Sequence, residues 1–256
     1  SGATPPAVSA HLDEELSALA GQPVLLPADP AALGRIHAAT RAAIQSKIGE
    51  VNVGDPDAVD TWQNSARSVE ELHRDAKSSE ALLRSVVNGA ADESGGQANF
   101  GPGGKHAVKE LPSLQNKVEV KGKRLEKISD AVRGTVIVER PEDIKPAVAA
   151  LKKQVEAAGG QLVVDNKFAK PNKAGYGAVH ADLLLPTKDG GTIRSEVQIH
   201  LRGLHDGTEH SLKEQSHALY KPIVNGKEVK LTPAQTERAD QASMLLWQGG
   251  MAPYGA

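Results

Sequence analysis

The first third of the chain carries apolar positions at helical spacing. Leu12, Leu16 and Leu19 share one face after Ser9, which predicts a helix. Asp29-Pro30 predicts the cap and first position of a second, whose inner face carries Leu33, Ile36, Thr40, Ile44 and Ile48. A third opens at Ser68 and Glu71, spaced as a capping box, with an apolar stripe through Val69, Leu72, Ala76, Leu83 and Val86; Asn88-Gly89 predicts its stop. Between Gly89 and Gly104 the composition turns to Gly, Ala, Asn and Ser, which predicts a mobile loop or linker.

From Lys105 onward strand and helix patterns alternate. Residues 132–138 are β-rich, and Ile144, Val148, Leu151, Val155 and Ala158 follow at helical spacing after Pro141, with Gly159-Gly160 as terminator. Residues 162–168, 178–185 and 192–201 read as strands, the last two joined by a hairpin turn at Lys188-Asp189-Gly190-Gly191. Two helices close the chain, one through Leu204, Thr208, Leu212 and Leu219, the other through Ala234, Ala242, Leu245 and Leu246. The fold class is α+β, a mixed β-sheet core flanked by helices. An N-terminal helical region over 1–104 precedes the sheet-bearing domain over 105–256.

Composition narrows the chemistry. A chain of 256 residues can bury a real core, and with aromatics at only 3% that core is aliphatic and alanine-rich, which excludes a large all-β sandwich. With no cysteine there is no disulfide framework, thiolate metal site or cysteine nucleophile. Lys+Arg at 30 against Asp+Glu at 32 leaves no surface-wide basic footprint, so any polyanion contact is local. No apolar run approaches the ~20 residues of a membrane span, so no membrane partner is expected. The start at Ser1-Gly2 rather than Met predicts a piece of something longer.

Four segments carry candidate chemistry. On the strand at 192–201, alternation puts Glu196, Gln198 and His200 on one face and Val197 and Ile199 on the other. Such a face needs ligand or solvent, and the same pattern suits an edge strand facing water. Asp130 stands just before the strand at 132–138, with Arg133 and Gly134 following. A carboxylate and a guanidinium there can hold Mg2+ and a phosphate side by side, or form an ordinary surface ion pair. The loop from Lys167 to His180 carries Lys167, Lys170 and Lys173, then Tyr176 between Gly175 and Gly177, where a flat ring could lie on the tyrosine; His180 points onto the sheet. A basic segment, Ser113 and Lys117 followed by Lys121, Lys123, Arg124 and Lys127, is either a phosphate-binding stretch or a solvated helix face.

In this order the segments resemble the synthetase domain of the RelA/SpoT alarmone enzymes, whose fold is nucleotidyltransferase-like. The matches are Ser113 and Lys117, Asp130, Lys170 to His180 with Gly175-Tyr176, Glu196-Val197-Gln198-Ile199, and His210 to Tyr220-Lys221. Three positions depart from the family pattern. Arg133 precedes Gly134 instead of following it, Gly177 stands where the family has Arg after Gly-Tyr, and His200 stands where it has Arg after Glu-x-Gln-Ile. These departures are closer to a divergent, toxin-like branch, in which Lys and His occupy the following helix; here His210, Lys213, His217 and Tyr220 share a helical face. Nothing resembles the companion hydrolase domain beyond an isolated His205-Asp206 pair.

The resemblance implies a pyrophosphokinase that moves the β,γ-diphosphate of ATP to the 3′-hydroxyl of a purine nucleotide, giving a (p)ppGpp or (p)ppApp type product. Asp130 and Glu196 would hold Mg2+, with Glu196 also helping to deprotonate the acceptor. Lys117, Lys121 and Arg133 would neutralise the donor phosphates, Tyr176 would stack on the acceptor base, and Lys170, Lys173 and His180 would contact acceptor phosphates. Gln198, His200, Lys213 and His217 complete the expected substrate-binding set. Two alternatives stand beside this: a toxin pyrophosphorylating the tRNA 3′ end, and an inactive nucleotide-binding interaction module. A synthetase without a hydrolase drains ATP, which implies a toxin or secreted effector acting in the bacterial cytoplasm, with a neutralising immunity or antitoxin partner.

Overall fold

The computed structural model describes residues 29–205, 211–224 and 227–256. The helix expected around Leu12, Leu16 and Leu19 lies outside these residues, as do Asp206, Thr208 and His210. Helix α1 (Pro30–Ile48) starts where Asp29-Pro30 placed it, the Asp29 carboxylate accepting from the amides of Ala31 and Ala32 at 3.0 and 3.1 Å. Leu33, Ile44 and Ile48 are buried as expected, but Ile36 is 54% exposed. His37 takes its place because the buried line runs 33, 37, 44, 48, and residue 36 lies about 100° to one side of it.

Helix α2 (Val69–Ser94) is capped by Ser68, which accepts from the Glu71 amide at 3.1 Å. Half of the expected box is displaced by one residue, since the Glu71 carboxylate takes the Arg67 amide at 2.8 Å. The helix does not stop at Asn88-Gly89 but runs five residues further, ending at Gly95 in the left-handed region (φ 72°). Gly89 is a packing glycine, for a Cβ there would lie 2.6 Å from the Gln154 side chain on the neighbouring helix α4 (Ile144–Ala157). The loop expected over 89–104 therefore becomes the last turns of α2, strand β1 (Gln97–Asn99) and a 3-10 turn (Pro102–Gly104).

Strands β2 (Arg133–Val138), β3 (Gln161–Asn166), β4 (Val179–Pro186) and β5 (Thr192–Leu201) join β1 in a five-stranded sheet of order β1-β2-β5-β4-β3. Only the β2–β5 pair is parallel. The β4–β5 hairpin turns where Gly190 (φ 85°) allows it, with the Thr187 amide donating to the Gly191 carbonyl at 3.0 Å. One face carries Gly134, Val136, Val138, Ala181, Leu183, Val197 and Ile199, and α2 and α4 pack on the sheet. A Cβ at Gly134 would meet Val87 of α2 at 3.0 Å, so glycine there allows close approach of the helix.

The chain divides into two compact units. Residues 45–167 with 178–202 hold the sheet, α2, α4 and the short helix α3 (Leu111–Gln115). The described residues of 29–44, 168–177 and 203–256 form the other, with α5 (Leu212–Tyr220), the small hairpin of β6 (Ile223–Val224) and β7 (Lys227–Glu228), and α6 (Pro233–Gly255). The helix expected to pass through Leu204 begins only at Leu212, where Ser211 caps it by accepting from Glu214 at 3.2 Å. In α6 the buried line is Gln235, Ala239, Ala242, Ser243, Trp247 and Met251, while Ala234, expected inward, is exposed in the first turn.

Candidate active site

Strand β5 is paired on both sides, by β2 and by β4, so its polar row is not an edge facing water. Along that row the Gln198 amide nitrogen donates to the Glu196 carboxylate, and the Gln198 oxygen lies 3.0 Å from His200 Nε2. An amide oxygen only accepts, so this bond puts the proton on Nε2. Glu196 and Gln198 are half-buried and His200 is fully buried. Register places Arg133 and Thr135 of β2 beside Glu196 and Gln198, and His180 of β4 opposite Gln198.

Asp130 is gripped by cations. Lys117 Nζ contacts its two oxygens at 2.7 and 2.6 Å, Lys109 Nζ lies at 3.0 Å, and Arg133 reaches 3.9 Å. Burial works to raise the Asp130 carboxyl, and the Lys109 and Lys117 charges overcome it, holding its pKa below the usual value. Burial first, and then the neighbouring Arg133 and Lys117 charges, lower the Lys109 ammonium more than Asp130 restores it. Arg133 links the two carboxylates: its guanidinium approaches Asp130 and its backbone sits in register with Glu196. Lys109 was missed in the sequence. Its amide donates to Ala131 at 2.9 Å beside the bridge between Val108 and Val132, a pairing with no local signal.

The basic segment after Lys117 is less available than it reads. Arg124 is tied to Glu126, and Lys127 donates to the carbonyls of Asp60 and Trp62; Lys121 is exposed. Asp182 is a second missed residue, lying in register opposite Glu196. Its carboxyl is raised by burial first and then by Glu196, against the pull of Arg194, whose guanidinium lies 3.7 Å away. The signal was present, since Asp182 lies two residues after His180 on a strand and so shares its face.

The other expected residues belong to the second unit. Lys170 and Lys173 are exposed on the loop at 168–177, and Tyr176 meets Trp247 edge-on at 5.1 Å and 84°. Gly177 explains the missing family arginine within this unit: a Cβ would stand 2.3 Å from Met251 and 2.7 Å from Phe168, leaving no room for a side chain. On α5, Lys213, His217 and Tyr220 share a face, with His217 and Tyr220 in an edge contact at 5.3 Å. Asp130, Glu196, Lys117, Lys121, Arg133, His180, Gln198 and His200 all lie in the sheet-bearing unit.

A mixed five-stranded sheet with helices packed on it, carrying a carboxylate, an amide and an imidazole in a row on its central strand, is an α+β fold. Residues 106–222 match the family described as "Region found in RelA / SpoT proteins". Among solved structures, the Type VI effector Tas1 in complex with its immunity protein is 16% identical, covering 72% of this chain and 96% of that one, with a TM-score of 0.49. The small alarmone synthetase 1 of Bacillus subtilis bound to its product pppGpp is 17% identical, covering 71% and 90%, with a TM-score of 0.44. A GTP pyrophosphokinase family protein of Streptococcus pneumoniae is 15% identical, covering 71% and 87%, also at 0.44. No curated protein sequence matches the chain. Among the described residues, no helix is long and apolar enough to cross a membrane.

Proposed function

We propose that the chain is an ATP-dependent pyrophosphokinase that transfers the β,γ-diphosphate of ATP to the 3′-hydroxyl of a purine nucleotide. The observation that carries this reading is the Asp130 cluster beside Glu196, inside the family-matched segment. In the proposed reaction a bond forms from the acceptor oxygen to the β-phosphorus, the bond from that phosphorus to the α,β-bridging oxygen breaks, and AMP leaves. Glu196 takes the acceptor proton, and Gln198 holds its carboxylate in place. Lys109, Lys117, Lys121 and Arg133 neutralise donor phosphates, so catalysis is mainly positioning and charge compensation.

The carboxylates of Glu196 and Asp130 are hard oxygen donors of the kind Mg2+ prefers. Among the described residues no three-membered His, Asp and Glu cluster could hold a metal. Both Asp130 oxygens are engaged by Lys117, so its use as a ligand requires the lysines to turn to phosphate. When bound, the ion would neutralise charge on the transferred group.

A mononucleotide acceptor is favoured over tRNA because Arg124 and Lys127 are already committed within the chain, leaving no broad basic track. Tyr176 would stack on the acceptor base, with Lys170, Lys173, His180, Lys213 and His217 toward its phosphates. Gly177 and His200, which replace family arginines, favour the toxin-like branch, acting in the bacterial cytoplasm as a delivered effector with a neutralising partner. The test is incubation of the purified chain with ATP, Mg2+ and a panel of GDP, GTP, ADP, ATP and tRNA, with products resolved by chromatography and mass. The expected result is AMP release matched by a diphosphorylated purine nucleotide. No AMP with any acceptor overturns the reading, and label on tRNA alone moves the acceptor to RNA.

A further inference from the structure

The loop at 168–177 is exposed over Ala169 to Lys173 and fixed at both ends. At its start, Arg41 Nη1 donates to the Phe168 carbonyl at 3.1 Å. At its end, two successive carbonyls are held by side chains: Ser243 Oγ donates to Ala174 at 2.8 Å and His37 Nε2 to Gly175 at 3.0 Å. Gly175 is left-handed (φ 80°), and a Cβ there would lie 2.9 Å from the Met244 backbone and 3.1 Å from His37, so the backbone can take this path only with glycine. Tyr176 follows immediately, its amide bonded to the Asn172 side chain at 3.2 Å and its ring set edge-on against Trp247.

Behind this contact the network continues. Trp247 is fully buried, its Nε1 donating to Ser216 Oγ at 2.9 Å; Ser216 and Ser243 hydroxyls are 2.8 Å apart, which returns the chain of bonds to the Ala174 carbonyl. His37 is fixed from its other side by Gln248 at 3.1 Å, and Gln248 in turn donates to Thr40 at 3.0 Å. The side chains that hold the two carbonyls before Tyr176 thus come from α1 and α6, distant in sequence, while the Gly175 amide is held within the loop by the Asn172 carbonyl at 3.2 Å. Ser216, Ser243, Trp247, Gln248 and Thr40 carry no charge suited to phosphate, and burial lowers the His37 pKa against the Gln248 and Gly175 hydrogen bonds, which raise it. Such a scaffold presets a ring rather than binding a ligand. A preset stacking platform lowers the ordering cost of acceptor binding and leaves donor binding alone.

We infer that His37, Ser243 and Trp247 are positioning residues that preset Tyr176 for the acceptor base, a role that rests on the proposed pyrophosphokinase reading. The test compares His37→Ala, His37→Gln, Ser243→Ala and Trp247→Phe with the wild type in full-length protein. Steady-state KM is measured separately for acceptor and ATP, acceptor binding by calorimetry without ATP, and folding by thermal melting. The expected result is an acceptor KM raised about tenfold in His37→Ala and Ser243→Ala, with the ATP KM within about twofold. His37→Gln restores a donor to the Gly175 carbonyl and is expected to recover most of the loss. A structural role alone would lower kcat through loss of folded enzyme with both KM values unchanged, and that result overturns the inference. A variant that does not fold is replaced in the comparison by Ser243→Ala, which removes the bonds to Ala174 and Ser216, and Trp247→Phe, which removes the bond to Ser216. If wild type transfers diphosphate and these variants keep acceptor affinity, only the inference falls. If wild type neither transfers nor binds purine nucleotides, the functional reading and the inference fall together.

Discussion

Asp182 of β4 and Glu196 of β5 stand directly opposite one another on the polar face of the sheet. Like charges at such a pair destabilise a sheet, and Arg194 at 3.7 Å offsets the cost for Asp182 only in part. The raised Asp182 pKa expresses that residual cost, set first by burial and then by Glu196. A group with a raised carboxyl pKa binds its proton more tightly when folded, so stability falls as pH rises through that raised value. Asp182→Asn is therefore expected to raise the melting temperature at pH 7. The gain should shrink as pH falls toward the ordinary carboxylate value of 3.8. Melting curves between pH 4 and 8 check it; a gain independent of pH, or a loss at pH 7, contradicts the electrostatic account.

What could be read from the chain and what could not separate along a physical line. Period-two alternation placed Glu196, Gln198 and His200 on one face, and the same rule applied to residues 178–185 would have added Asp182; pairing register, which alternation does not give, was needed to set it against Glu196. Asn88-Gly89 looked like a stop because local propensity penalises glycine in helices, yet tertiary packing against Gln154 outweighs that penalty. Lys109 and His37 act through contacts across the chain, at Asp130 and Gly175, and no local pattern marks such partners.

The cationic grip on Asp130 gives a second expectation. Lys109 is 14% exposed and Asp130 17%, so their pairing is little screened. Lys109→Met removes one partner while Lys117 remains, so the expected loss at pH 7 is about 1–3 kcal/mol, that of a buried group losing one hydrogen-bond partner. The depressed Asp130 pKa contributes stability that is present above its unfolded value and lost as pH falls through its folded value. With Lys109 gone the folded value rises, so acid unfolding should begin at higher pH than in wild type. Circular dichroism along an acid titration reads this directly, and an unchanged acid midpoint would mean that Lys117 alone sets the charge.

Gly177 yields a packing prediction. With Met251 at 2.3 Å and Phe168 at 2.7 Å from the added atom, Gly177→Ala is expected to cost about 1–3 kcal/mol through overpacking. Gly177→Arg, which restores the family residue, should give little folded protein. In a Met251→Ala background the cost of Gly177→Ala should shrink, because the two changes share one space. Urea unfolding midpoints at constant m-value test the coupling; strict additivity would show that Met251 is not the obstacle.

Glu196 supplies the sharpest test of the proposed chemistry. Its carboxylate accepts from Gln198, and Gln198 in turn accepts from His200 Nε2. Glu196→Gln keeps an oxygen that can still accept from Gln198, so the row on β5 survives and only the charge is lost. The melting temperature should therefore change little. Turnover, in contrast, would lose the proposed base for the acceptor proton and a proposed metal ligand, and is expected to fall by about a hundredfold or more. Asp130→Asn should also lose transfer, but with a stability change, because Lys109 and Lys117 lose their counter-ion. Expression of wild type in bacteria should arrest growth, and Glu196→Gln should relieve the arrest at equal protein level. If Glu196→Gln and Asp130→Asn both retain near wild-type transfer, the catalytic assignment is wrong. If transfer is lost but arrest persists, the toxicity has a cause other than diphosphate transfer.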